Sequence, residues 1–77
     1  MVRISVRTAA QTPDQAITVE GKNVPAAVRV AAVRLGVGDG RTIESERVGK
    51  QHWEWTWGVT APGSEQERRV FLHVLVL

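Results

Sequence analysis

The chain opens on strict alternation. In residues 2–8, VRISVRT, the positions Val2, Ile4 and Val6 fall on one side and Arg3, Ser5 and Arg7 on the other. A period of two with one apolar side marks a half-buried strand. After AAQTPDQ, where Pro13-Asp14 carries turn chemistry, residues 16–20, AITVE, resume the alternation with Ile17 and Val19 aligned. Gly21-Lys22 ends that run, so the first two strands are expected to pair as a hairpin with a loose loop. The period then changes. Asn23-Val24-Pro25 reads as a helix start, because Asn caps well and Pro is tolerated in the first turn, where its missing N–H has no partner anyway. The run AAVRVAAVRL continues the helix on its alanines and arginines, against its valines, and Gly36 is the natural C-terminal cap.

Past a loop marked by Gly36, Gly38 and Gly40, residues 42–48, TIESERV, give a polar strand, and Gly49-Lys50 offers a tight turn. Residues 52–60, HWEWTWGVT, alternate again, with Trp53, Trp55, Trp57 and Val59 on one side. APGSEQE is a loop, and residues 69–77, RVFLHVLVL, form the last strand. The order is strand, strand, helix, then two or three strands. The expected fold is α+β and two-layered: one mostly antiparallel sheet of four to five strands, ββαββ(β), with one helix on one face and a single domain over residues 1–77. The last strand is apolar on both sides and belongs in the middle of the sheet, beside the first.

The apolar positions exceed what such a fold needs. On a helical wheel, Val24, Val28, Ala31 and Leu35 make one stripe, and Ala26, Val30, Val33 and Val37 make a second, roughly opposite. Only one of them packs on a sheet. In the last strand Phe71, His73, Leu75 and Leu77 share one side, while Val70, Leu72, Val74 and Val76 share the other. One face of an antiparallel sheet is normally wet and polar. Two readings are open: scattered small apolar residues at the surface, or a contact surface for a second copy or another protein.

The tryptophan row also has two readings. Trp53, Trp55 and Trp57 are core, as large aromatics usually are, or they form a binding face. A two-residue turn at Gly49-Lys50 places Glu46 opposite Trp53 and Glu44 opposite Trp55; a three-residue loop places Arg47 and Ser45 there instead. Either register brings polar neighbours, so part of the row is expected near the surface.

Composition narrows the classes of function. With 77 residues, 43% of them apolar, a net charge of +2 and no cysteine, disorder, disulfides and thiolate metal sites are excluded. No apolar run approaches the ~20 residues of a membrane span, and the N-terminus has no continuous apolar core of a signal peptide, so a cytoplasmic protein is expected. Catalytic chemistry is sparse. Ser5, Ser45 and Ser64 lie in no nucleophile-elbow setting. His52 and Glu54 share a strand side and make at most half of a metal site, and His73 reads as a structural histidine. The glycine-rich segment 36–40 follows a helix rather than preceding one, so it lacks the helix N-terminus that binds phosphate. No enzyme, cofactor or metal is expected. Residues 1–41 carry six basic and three acidic groups, residues 42–77 four and five. Arg3 and Arg7 on one strand side are the best candidates for a phosphate contact.

MVRISVRT at the start and FLHVLVL at the end, with the helix after the second strand, resemble ubiquitin-like β-grasp domains. EWTWGVT followed by VFLHVLVL is similar to the closing hairpin of the immunoglobulin-binding bacterial modules. AITVEGKNVPAAVRVAAVRLG, then strands and FLHVLVL, resembles small phage-encoded proteins of the type I anti-CRISPR kind. That resemblance implies a non-catalytic inhibitor that binds a host protein complex. The expected function is therefore protein binding through Trp53, Trp55, Trp57, Val30, Val33, Arg3 and Arg7; the alternatives are a nucleic-acid-binding or accessory domain using Arg3 and Arg7, and a homodimeric structural module.

Overall fold

A computed structural model describes residues 1–8 and 15–77; the turn expected at Pro13-Asp14 lies outside the described residues. Five strands and one helix follow in the order β1 (Val2–Thr8), β2 (Ala16–Gly21), α1 (Val24–Arg34), β3 (Arg41–Arg47), β4 (His52–Thr60) and β5 (Glu67–Val76). They build a small α+β fold with a single open sheet of order β2-β1-β5-β4-β3, every neighbouring pair antiparallel. The strand that is apolar on both sides, β5, is central and lies between β1 and β4.

Register decides which side chains share a face. Ile4 lies between Val19 and Val76, and Val6 between Ile17 and Val74. Leu72 lies between Thr8 and Trp55. These residues form the inner face, and most of them are fully buried. Helix α1 packs chiefly over β1 and β2. Its buried positions are Ala27, Val28, Ala31 and Ala32, all at 0% exposure. The expected stripe of Val24, Val28, Ala31 and Leu35 is thus rotated: Val24 and Leu35 are half-buried flanks, and alanines take the centre. The reason is steric. A methyl group placed on Gly21 of β2 would stand 2.6 Å from the backbone nitrogen of Ala27, so helix and sheet approach too closely for valine at that line of contact.

Both helix ends follow the sequence signals. Asn23 Oδ1 accepts a 2.9 Å hydrogen bond from the N–H of Ala26. At the other end Gly36 takes the left-handed conformation, φ +78°. The N–H of Gly36 donates to the carbonyl of Val33, and that of Val37 to Ala32, both at 3.1 Å, which is the Schellman pattern. That turn folds Val37 into the core at 6% exposure, away from the second helix stripe where the periodicity had put it. No described helix is long and apolar enough to cross a membrane.

Candidate functional site

Helix α1 lies chiefly over β1 and β2, so the inner face of β4 is filled by tryptophans, with the segment after α1 lying against Trp57. Trp55 and Trp57 are 4% and 2% exposed, and each indole N–H is satisfied. Trp55 Nε1 donates to Thr42 Oγ1 at 2.9 Å, and Trp57 Nε1 to the carbonyl of Gly38 at 3.1 Å. Burying a Trp removes ~150–250 Å² from water, or ~4–6 kcal/mol per ring by apolar-area accounting. Trp53 is only half-buried; its ring centroid lies 6.2 Å from that of Trp55, tilted by 59°. The structure therefore places Trp55 and Trp57 in the core and leaves Trp53 as the partly open end of the row. The three-residue loop sets the register: Arg47 pairs with Trp53 and Ser45 with Trp55, while Glu44 and Glu46 pair with Thr56 and Glu54 and face outward. Both Val48 and Gly49 donate to the carbonyl of His52, closing the loop over Gly49–Gln51. The register also shifts between Thr42 and Glu44, leaving Ile43 outside the pairing.

The other expected site residues go elsewhere. Val30 on α1 is half-buried and packs against the edge of the core, and Val33 is 54% exposed. Arg3 and Arg7 are exposed on the outer face of the sheet. The seven residues thus divide among three places and do not form one patch.

The outer face has no helix against it. One row across it, read from the registers, is Ala16, Arg7, His73, Glu54, Glu46. The next is Thr18, Ser5, Leu75, His52. On the other side of the first row, Phe71 pairs with Thr56, which pairs with Glu44. Phe71 is 59% exposed, an unusual position for the chain's one phenylalanine. Two shallow depressions adjoin at His73. One, of about 330 Å³, is lined by Glu44, Glu46, Glu54, Thr56 and Phe71. The other, of about 480 Å³, is lined by Ser5, Arg7, Ala16, His52 and Leu75. This face carries a seam of Phe71, His73 and Leu75 along β5, with arginine on the β1 side and glutamates on the β4–β3 side. The described ion pairs lie elsewhere, at Arg29–Asp39 (3.1 Å) and Arg41–Glu67 (2.9 Å).

The seam was visible in the sequence as the second apolar side of the last strand, yet nothing there showed that this side faces outward. His52 and Glu54 project from the same strand, but among the described residues no three His, Cys, Asp or Glu side chains come together as a metal site. The glycine-rich segment after α1 is a tied-down turn: Arg29 Nη2 donates to the carbonyl of Gly40 and Arg68 Nη2 to that of Val37. Comparison with family models, curated proteins and solved structures returns no match.

Proposed function

We propose that this chain is a non-enzymatic protein-binding module that works by surface contact, with the open face of the sheet as its principal contact surface. The observation that carries this reading is the exposed seam of Phe71, His73 and Leu75, bracketed by Arg7 on one side and Glu54 and Glu46 on the other. Apolar residues grouped on a face and rimmed by charge are the anatomy of a protein contact. The resemblance to small phage proteins of the anti-CRISPR kind gives that contact a biological setting: an inhibitor from a phage or mobile element that docks on a host protein complex and blocks it. In this reading the exposed Val33 on α1, with the open edge of Val30, forms a second, smaller contact surface.

Nucleic-acid binding is the weaker reading. Arg3 and Arg7 share the outer face with Glu44, Glu46 and Glu54, and carboxylates that close to a phosphate track oppose it. The test is capture from a host lysate by the tagged chain and by its Phe71→Glu and Val33→Glu variants, each checked for fold by circular dichroism. The expected result is a defined protein complex held by the parent chain and lost in Phe71→Glu. Capture of nothing, or equal capture by both variants, overturns the proposal. Retention on DNA that falls steeply with salt would favour the arginine reading instead.

A further inference from the structure

Resting on that reading of the open face, we infer that its first occupant is a second copy of this chain, packed face to face about a two-fold axis that runs along β5. The argument is one of charge and register. A two-fold interface lays the same patch on itself, so a residue at one position must suit whatever the rotation brings opposite. Two orientations keep the strands of the facing sheets aligned, as sheet-on-sheet packing prefers. An axis across the strands lays β1 on β1 and the β3–β4 hairpin on the β3–β4 hairpin. Arginines then meet arginines, and Glu44, Glu46 and Glu54 meet their own copies. An axis along β5 does the reverse. It keeps each row at its own height and exchanges the two sides, so β1 of one copy faces β4 of the other.

In the row Arg7, His73, Glu54, this rotation sets Arg7 of each copy against Glu54 of the other, twice over. In the next row Ser5 meets His52, and Leu75 meets Leu75 on the axis. Phe71 meets Phe71 one row beyond His73. Arg69, farther along β5, is exposed and meets its own copy; it marks where the contact ends, since like charges and the twist of the two sheets both part them there. With strands ~4.8 Å apart and outward positions every ~7 Å, the face measures roughly 500 Å² per copy, about 1,000 Å² in total. That is the low end for a specific interface, so weak, concentration-dependent self-association is expected. Val33 on α1 stays open in such a dimer and is available to another protein.

Arg7→Glu and Glu54→Arg provide the test, read by sedimentation equilibrium of the purified chains from the low micromolar range to about 500 µM, a range that covers weak association. Both positions are exposed, and circular dichroism confirms the fold of each variant. The parent chain is expected to form dimers. Each single variant alone sets like charges against each other at both Arg7–Glu54 contacts and is expected to associate at least ~10-fold more weakly. An equimolar mixture of the two variants restores opposite charges at both contacts and is expected to dimerise about as well as the parent. A parent chain that stays monomeric throughout, single variants that dimerise as the parent does, or a mixture that fails to recover would each overturn the inference. A monomeric parent that still captures a host complex through Phe71 defeats the dimer alone. A dimer that captures nothing leaves the dimer standing and removes the host target.

Discussion

The two faces of this sheet are built from the same alternating strands and come to opposite ends. The inner face is closed by a thin alanine-lined helix, chiefly over β1 and β2, and over β4 by buried tryptophan rings with the segment after α1 against Trp57. The outer face carries one phenylalanine, one half-buried leucine and charges in a set order, with no described element over it. The difference teaches how a chain of this size divides its apolar residues. A helix with its side chains is ~10–12 Å across and covers about two strands of a sheet ~24 Å wide. The rest of the inner face is filled by large side chains, Trp55 and Trp57, which are themselves buried, Trp57 against the segment after α1. With Trp55 and Trp57 used in this way, the apolar residues on the far side of β5 have no described element packed over them.

The largest test of this contrast is Trp57→Ala. Its loss is expected to cost ~3–5 kcal/mol, set against the ~4–11 kcal/mol typical of a domain this long, so chemical denaturation should find the variant marginal or unfolded. Next comes Gly21→Ala, which drives a methyl group into the backbone of Ala27 and is expected to cost about 1–3 kcal/mol by the same measurement. Asn23→Ala removes one helix cap and should cost ~1 kcal/mol, visible as a lower thermal midpoint. The smallest effect belongs to the outer face. Phe71→Gln, measured at high dilution, should leave stability within ~0.5 kcal/mol of the parent. Were Phe71→Gln to destabilise the dilute chain as much as Trp57→Ala does, the two faces would not differ in kind.

Much of this was legible in the chain itself. Alternation placed β1 and β4 at their observed limits, Asn23 and Gly36 marked the two ends of the helix, and the double apolar character of β5 put it in the centre beside β1. What escaped was decided by packing. A hydrophobicity pattern ranks valine above alanine, so it missed that Ala27 and Ala32 are buried, Ala27 where the helix backbone lies close against Gly21. Gly49-Lys50 suits a loop of two or three residues, so the partners of the tryptophans stayed open until the loop closed over three. The tryptophans admitted a core and a surface reading, because what selects between them is the packing over β4, which one strand's alternation does not show. The outer seam was seen as a pattern in β5, but its meaning came from the arginine and glutamates that neighbouring strands bring to the same row.

The most direct test of the account is the dependence of urea unfolding on protein concentration. A chain whose folded form associates is stabilised by mass action as its concentration rises. The unfolding midpoint of the parent chain is expected to climb between about 1 and 100 µM, while that of Leu75→Glu, with a charge on the seam, stays fixed. A parent midpoint that does not move with concentration, or a Leu75→Glu midpoint that climbs in step with it, would contradict the claim that the open face of this sheet is covered by a second copy.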